Sequence, residues 1–221
     1  LPSVEKTVIV PFIGDCNAVS ITNSLLWNDF LESKLDDFYF EELPFDHPLY
    51  IMYSSGTTGL PKSIVHSSGG TLIQHLKELM LHTDLRRDDN IFYFTTCGWM
   101  MWNWLVSSLG VGATVNLYDG SPFYPDGTTL LKMAEKAGIT VFGTSAKYIA
   151  TLESIGIKPK TISTFPKLRT ILSTGSPLGE ENYDFVYNQW KKDVQLSSIS
   201  GGTDIISCFA LGNPTLPVIR G

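Results

Sequence analysis

Short apolar runs rich in β-branched and aromatic residues alternate along this chain with segments of helical period, and this alternation most constrains the fold. The runs, each a predicted strand, occupy residues 7–10, 50–53, 90–94, 114–118, 139–142, 168–172 and 194–197. Between them, Leu72, Leu76, Leu79 and Met80 follow the spacing of one helix face, and residues 130–137 do so before Gly138. We therefore predict an α/β fold with a mostly parallel sheet flanked by helices on both faces.

The composition suits a folded chain, because 43% of its 221 residues are hydrophobic and only 17% are charged. Such a chain buries enough apolar surface to offset the loss of conformational entropy, which excludes a disordered tail. Residues 1–47 hold one predicted strand, a predicted helix around Ser24 to Ser33 and an acidic, aromatic stretch. We expect them to be an incomplete α/β segment of a preceding subdomain, followed by the main unit at 48–221.

Charge and cysteine content exclude several classes of partner. Sixteen Lys and Arg against 22 Asp and Glu give a net charge of −6 without a basic cluster, so no nucleic acid and no membrane is expected as a partner. Cys16, Cys97 and Cys208 form no Cys-x-x-Cys pair, which favours the reducing cytoplasm over a disulfide framework or a zinc site. No apolar run approaches the roughly 20 residues that span a bilayer, so the sequence predicts a soluble protein.

The strongest chemical feature is a loop of hydroxyls and glycines that follows the predicted strand at 50–53. Its sequence, before a predicted helix, is Ser54-Ser55-Gly56-Thr57-Thr58-Gly59-Leu60-Pro61-Lys62-Ser63. Glycines let the backbone approach an anion, hydroxyls donate to phosphate oxygens, and Lys62 adds a positive charge, so we predict a phosphate site. The alternatives are a surface loop without a ligand and a Walker A loop. Pro61 disfavours the second, because it replaces a glycine and lacks an N–H.

Three motifs in order resemble the acyl-adenylate-forming (AMP-binding) superfamily of acyl-CoA synthetases, luciferases and peptide-synthetase adenylation domains. They are residues 53–62, Ser173-Thr174-Gly175-Ser176-Pro177 and Ser200-Gly201-Gly202-Thr203-Asp204. The resemblance runs from about Leu49 to Gly221, and more loosely through residues 1–48. It implies that residues 48–221 are the AMP-binding core subdomain of a large N-terminal domain, with the C-terminal lid domain outside this chain.

Within the superfamily, residues 97–104 (CGWMMWNW) and 200–204 are most similar to those of acetoacetyl-CoA synthetases. In acetyl-CoA synthetases a tryptophan stands where this chain has Gly201, and that tryptophan closes the acyl pocket. Exchanging an indole for a hydrogen opens space for a longer acid. The resemblance therefore implies an acid pocket, whose predicted members are Trp99, Met100, Met101, Thr174 and Gly201. For Trp102 and Trp104 the sequence leaves two roles open, a place in the pocket or burial on the core face of a helix.

The resemblance implies an ATP-dependent acid–CoA ligase that uses ATP, Mg²⁺ and coenzyme A, with acetoacetate as the acid. The substrate carboxylate would attack the α-phosphorus of ATP, pyrophosphate would leave, and the CoA thiol would then attack the acyl-adenylate. Lys62, Thr203 and Asp204 form the predicted catalytic group: Thr203 would contact the α-phosphate and Asp204 would hold Mg²⁺. The predicted nucleotide-binding residues are Ser54, Ser55, Gly56, Thr57, Thr58, Gly59 and Lys62 for the phosphates, Gly175, Ser176 and Pro177 along the adenine, and Gly202 and Thr203.

Two other functions remain open. One is a short-chain acyl-CoA synthetase acting on acetate or propionate, and the other is a nucleotide-binding module without ligase chemistry, which Pro61 and the Thr203–Asp204 pair disfavour. The superfamily's ribose-binding aspartate, hinge and C-terminal lysine have no counterpart in this chain. We therefore expect the 221-residue chain alone to be catalytically inactive.

Other polar residues are predicted to be structural. His66, on the first turn of the predicted helix, forms no metal triad with His75 and His82 further along it. Asp88 and Asp89 follow two arginines in a turn and are predicted to be solvated charges.

Overall fold

The structure is a computed structural model, and it describes residues 3–12, 14, 21–31, 39–54 and 59–221. The chain forms two compact units, Leu1–Leu43 and Pro44–Gly221. In the first unit, the parallel strands β1 (Thr7–Ile9) and β2 (Ser24–Leu26) are followed by one helical turn, α1 (Trp27–Phe30). The helix predicted around Ser24 to Ser33 is thus a short strand and then a single turn.

The second unit contains one five-stranded sheet and two antiparallel pairs among its described residues. Its strands are β3 (Pro48–Ser54), β4 (Lys62–Ser67), β5 (Asn90–Tyr93), β6 (Thr114–Asn116), β7 (Val141–Ser145), β8 (Thr170–Thr174), β9 (Gln195–Ser198), β10 (Ser200–Gly202) and β11 (Ser207–Ala210). The large sheet has the order β6-β5-β7-β8-β9 and is parallel throughout. The hairpins are β3–β4 and β10–β11.

Five helices connect and cover these strands. They are α2 (Ser68–Lys77), α3 (Met100–Val106), α4 (Thr129–Ala137), α5 (Ala146–Ser154) and α6 (Glu180–Phe185). Turns of π-helix extend α2 and α6, at Glu78–His82 and Val186–Trp190, and 3₁₀ turns lie at Ser107–Gly110 and Pro159–Thr161. The predicted stop after α4 is confirmed: Gly138 has a φ of 63°, which glycine adopts without a Cβ clash.

A hydrophobic core lies on each face of the five-stranded sheet. On one face, a buried row crosses four strands in register and packs under α4, α5 and α6; it consists of Phe92, Phe142, Ile171 and Leu196. On the other face, Val141 and Leu172 pack with Trp104 and Leu105 of α3 and with Leu79. The central strands β5, β7 and β8 are buried on both sides, and each carries consecutive apolar residues rather than an apolar and polar alternation. The predicted α/β fold with a parallel sheet between helices is confirmed.

The helix predicted directly after the glycine-rich loop is wrong. The glycine-rich loop does not lead into a helix, because residues Lys62–Ser67 form β4, which pairs antiparallel with β3. The two central residues of β4, Ile64 and Val65, are β-branched, and such residues suit a pleated strand. Helix α2 begins only at Ser68, so His66 lies in a strand and not on the first turn of a helix.

The turn at 84–89 also differs from the prediction, because Asp89 is buried rather than solvated, with 4% exposure. The guanidinium of Arg169, in the residue before β8, donates to both carboxylate oxygens of Asp89 at 2.8 and 2.6 Å. Arg169 also donates to Asp84 at 3.2 Å. Both bonds to Asp89 come from Nη2, and a charge-assisted contact of this kind satisfies a buried carboxylate and connects the turn to the sheet.

Among the residues that the structure describes, every helix falls short of the length and apolar character that a bilayer crossing requires.

Candidate active site

A cavity of about 370 Å³ opens beside the carboxyl ends of β8 and β9, where ligands of parallel α/β sheets bind. Three separate parts of the chain form its wall: the start of α3, the end of β8 with the loop after it, and the segment from β9 to β11. Its lining residues are Trp99, Met100, Met101, Thr174, Gly175, Ser176, Pro177, Ser198, Ile199, Ser200, Gly201, Gly202, Thr203 and Cys208. All three stretches that the sequence analysis selected around 99–101, 174–177 and 201–203 therefore meet at one cavity.

The wall at the start of α3 is apolar. Met100 and Met101 are buried in the core under the sheet, and Trp99 is half-buried at the cavity. The ring of Trp99 meets that of Tyr93 edge-on, with 6.1 Å between centroids, which is a favourable aromatic geometry. Trp104 is fully buried and belongs to the helix core, while Trp102 lines a separate cavity near Leu117. Only Trp99 of these three tryptophans faces the candidate site.

The position of the Tyr93 ring, which packs against Trp99, depends on a glycine in the central strand of the sheet. Gly143 of β7 stands opposite Tyr93 of β5, and a Cβ placed on Gly143 would fall onto the Tyr93 ring. Without that Cβ, the ring lies flat across the sheet, and its hydroxyl donates to the carbonyl oxygen of Thr144 at 3.2 Å. Burial raises the pKa of the Tyr93 phenol, so this hydroxyl stays protonated and keeps donating. Gly143 thus sets where Tyr93, and through it Trp99, can lie.

The opposite wall carries hydroxyl groups. Thr174 Oγ1 donates to the carbonyl oxygen of Ile199 at 2.8 Å, which joins the end of β8 to the segment after β9. Gly175 follows with a φ of 90°, a conformation that favours glycine, and turns the chain so that Ser176 and Pro177 line the cavity. Hydroxyls and backbone groups of this kind can bind a polar ligand without adding charge.

The two glycines of β10 have opposite surroundings. A Cβ on Gly201 would collide with the carbonyl oxygen of Ser207 and lie 2.9 Å from Cys208 Cα, because β11 runs against it. A Cβ on Gly202 would have no atom within 4 Å. Gly201 is therefore required by the close approach of two backbones, and an indole in its place would have to move β11. Gly202 is the position where a side chain has open space beside the cavity.

Behind Cys208 lies a buried carboxylate, Glu78, which has 1% exposure and four hydrogen-bond donors. Its partners are Gln74 Nε2 (3.1 Å), Trp104 Nε1 (2.9 Å), the Cys208 backbone N–H (3.0 Å) and the Ser207 hydroxyl. Burial and then the charge of Glu78 raise the pKa of the Cys208 thiol to about 12. Cys208 is therefore a neutral wall residue and not a nucleophile.

The remaining predicted residues that the structure describes do not line this cavity. Ser54 and Lys62 are register partners at the loop end of the β3–β4 hairpin, and Gly59 lies in the loop between those strands with a φ of 109°. Asp204 is exposed in the turn between β10 and β11. Four predicted phosphate contacts, Ser55, Gly56, Thr57 and Thr58, lie outside the described residues. Within the ranges that the structure describes, no three His, Cys, Asp or Glu side chains form a group that could hold a metal.

The sequence analysis did not identify Ser198, Ile199 and Cys208 as cavity residues, and it placed Ser200 in a motif without assigning it a contact. Ser198 and Ile199 had an available indication, because they directly follow a predicted strand, where ligands of parallel sheets bind. Cys208 had none, since its place depends on the hairpin that returns it to Gly201.

The family to which these residues belong is decided by a match over almost the whole chain. Residues 3–218 match the family model described as AMP-binding enzyme. The chain belongs to the AMP-binding enzyme family. Two curated relatives of this AMP-binding chain are the acetoacetyl-coenzyme A synthetase of Rhizobium meliloti (strain 1021), 57% identical over 97% of the chain, and the acetoacetyl-CoA synthetase of Danio rerio, 52% identical over 100% of it.

The AMP-binding chain also matches a solved structure, the acetoacetyl-CoA synthetase from Streptomyces lividans, with a TM-score of 0.90 and 41% identity over the whole chain. The chain spans 34% of the length of each of these three proteins. The resemblance drawn from the three sequence motifs is confirmed.

Proposed function

We propose that this chain is the nucleotide- and acid-binding part of an ATP-dependent acetoacetate–CoA ligase. The observation that carries the proposal is the cavity at the ends of β8 and β9, whose wall combines two of the three motifs, at 174–177 and 200–203, with the predicted acid-pocket residues 99–101. The names of the relatives support acetoacetate as the acid. A cavity of about 370 Å³ suits a small ligand.

In the first step, a carboxylate oxygen of acetoacetate attacks the α-phosphorus of ATP, and the bond to pyrophosphate breaks. The chain's contribution is to position the reactants and stabilise charge, because phosphoryl and nucleotidyl transfer demand little else from a protein. The Thr203 hydroxyl donates to the α-phosphate, and Lys62 with the hydroxyls of its loop neutralises the departing pyrophosphate. Gly175 to Pro177 hold the adenine against the wall beside Trp99.

Mg²⁺ fits the donors that are present. This ion usually keeps several waters and takes one or two carboxylates together with phosphate oxygens of its substrate. Asp204 offers one exposed carboxylate directly after Thr203, and ATP supplies the phosphates. When bound there, Mg²⁺ would offset negative charge on the phosphates, and Asp204 is the described residue that would hold it.

In the second step, the CoA thiol attacks the acyl carbon of the adenylate, and AMP leaves with the former α-phosphorus. The apolar wall of Trp99, Met100 and Met101 excludes water from the mixed anhydride, which would otherwise hydrolyse. Cys208 takes no covalent part, because its thiol is neutral.

The test is an acid series with the complete protein that contains this chain. Acetoacetate, acetate and propionate are each supplied with ATP and Mg²⁺, and pyrophosphate release is measured before CoA is added and AMP formation afterwards. We expect the highest kcat/KM with acetoacetate. A higher kcat/KM with acetate or propionate would favour a short-chain acyl-CoA synthetase. Absence of pyrophosphate release with every acid would favour a nucleotide-binding module without ligase activity. The 221-residue chain alone should release none.

The setting of this activity is part of the same proposal. Separate free thiols, Cys97 and Cys208, suit a reducing cytoplasm, and an acidic chain without a basic cluster suits small-molecule substrates rather than nucleic acid or membrane. Fractionation of cells that express the protein checks the compartment.

A further inference from the structure

Three of the chain's four histidines hold one backbone segment, residues 203–212, through their rings. The contacts, from ring nitrogen to carbonyl oxygen, are His66 Nε2 to Thr203 (2.9 Å), His75 Nε2 to Ile206 (2.6 Å) and His82 Nδ1 to Gly212 (3.0 Å). A carbonyl oxygen only accepts a hydrogen bond, so each of these nitrogens carries a hydrogen and donates it. The segment is therefore fastened at its start, its middle and its end.

The middle of the segment makes further hydrogen bonds that do not involve His66. The Ser207 hydroxyl donates to Glu78 and accepts from Gln74, and the Cys208 backbone N–H donates to Glu78. These groups anchor β11 to α2 and the π turn that extends it. The start of the segment is the turn from Thr203 to Ile206, whose backbone bond runs from the Ile206 N–H to the Thr203 carbonyl at 3.2 Å. His66 donates to that same carbonyl.

His66 also connects this turn to the strand that carries Lys62. In β4, residues four apart project to the same face, so Lys62 and His66 lie on one side of the hairpin. The Thr203 carbonyl belongs to the peptide that joins Thr203 to Asp204. One strand thus presents the predicted contact for the β and γ phosphates and also fixes the peptide that carries the predicted α-phosphate and Mg²⁺ contacts.

We propose that His66 is a positioning residue for adenylation: its Nε2–H holds the Thr203–Asp204 peptide in register with Lys62. This inference rests on the proposed function of the cavity. His66 touches no reacting atom, and its ring acts through the hydrogen bond to Thr203. A displacement of about 1 Å in a group that contacts the transition state costs on the order of 10²-fold in rate, so a single backbone hydrogen bond at this place matters to kcat.

The test compares three variants of the complete protein. His66→Leu removes the donor, and His66→Gln restores an N–H donor at the far end of the side chain. His82→Leu is the matched control, because it removes the same kind of ring-to-carbonyl bond at the other end of the segment, at Gly212. Each variant is assayed for acetoacetate-dependent pyrophosphate release, for KM of ATP, and for melting temperature.

For His66→Leu we expect kcat of pyrophosphate release to fall by about 10- to 100-fold while KM for ATP changes by less than about threefold. His66→Gln should recover most of that loss, and His82→Leu should keep kcat within about threefold of the unsubstituted protein. A kcat unchanged in His66→Leu overturns the proposal, as does an equal loss of kcat in both leucine variants. Failure of the unsubstituted protein with every acid refutes the proposed function itself, and this inference with it.

Discussion

The contrast between the two glycines of β10 predicts which of them controls acid length. We consider Gly202→Ala and Gly201→Ala, which add the same methyl group at adjacent positions. At Gly202 the new Cβ has no atom within 4 Å and borders the cavity, whereas at Gly201 it meets the backbone of Ser207 and Cys208. The first change therefore removes cavity space, and the second strains the β10–β11 hairpin.

The magnitudes follow from these surroundings. One methylene in a substrate pocket changes discrimination by about 1–3 kcal/mol, or about 10- to 200-fold. A cavity of about 370 Å³ leaves room around a small acid, so we take the lower end of this discrimination range for Gly202→Ala. We expect the ratio of kcat/KM for acetoacetate to kcat/KM for acetate to fall about tenfold. Overpacking costs about 1–3 kcal/mol of stability, so Gly201→Ala should lower the melting temperature and reduce kcat/KM for both acids by a similar factor.

The assay is initial-rate pyrophosphate release with each acid, performed on the complete protein and both variants, together with a thermal melt. A changed acid ratio in Gly201→Ala with an unchanged ratio in Gly202→Ala would refute this reasoning. An equal loss for both acids in Gly202→Ala would show that the open space beside it is not used by the acid.

Three further predictions concern charge. Lys62→Ala should weaken ATP binding by about 1–3 kcal/mol, measured by titration of the complete protein, and unchanged affinity would remove Lys62 from the phosphate site. Burial lowers the pKa of His75 from its ordinary value of 6.5, so the unfolded state binds more protons below that pH; the melting temperature should fall as the pH decreases below 6.5, and less steeply in His75→Gln. Arg169→Met leaves the Asp89 carboxylate buried without its partner and should cost about 1–3 kcal/mol in urea denaturation, a range kept low because the Arg169 side chain is 39% exposed. Arg220→Met, whose ion pairs are exposed, should cost nothing measurable, and an equal loss in both variants would contradict the burial argument.

The sequence was sufficient for the large sheet and for two of the helices beside it, α2 and α4. Its central strands are buried on both faces and carry consecutive apolar residues, and β5, β6, β8 and β9 lie within two residues of their predicted positions, whereas β7 ends at Ser145 and not at residue 142. Gly138 marked the end of α4 because a left-handed residue there favours glycine. The apolar runs and the glycine at a helix end are both local patterns, and a single sequence shows local patterns directly.

The hairpins and the hydrogen bonds of the site depend on long-range pairing and left no local pattern. β4 was taken for the start of a helix because α2 follows it directly and only its pairing with β3 distinguishes the two. His66 and Thr203 are separated by 137 positions, so no spacing in the sequence indicates that they meet. The same holds for Asp89, whose carboxylate pairs with Arg169, the residue before a distant strand. The sequence predicts histidines without a metal site, but the backbone carbonyls that their rings contact depend on long-range pairing.

The pairing of Gly143 with Tyr93 has a consequence for how this fold can vary between relatives. Because a Cβ on Gly143 would fall onto the Tyr93 ring, the two positions share one volume above the central strands. A relative with a larger residue at the position of Gly143 should carry a smaller one than tyrosine at the position of Tyr93, and its Trp99 would lose its edge-on neighbour. The two positions should therefore change together in evolution, with the acid pocket changing shape as a result.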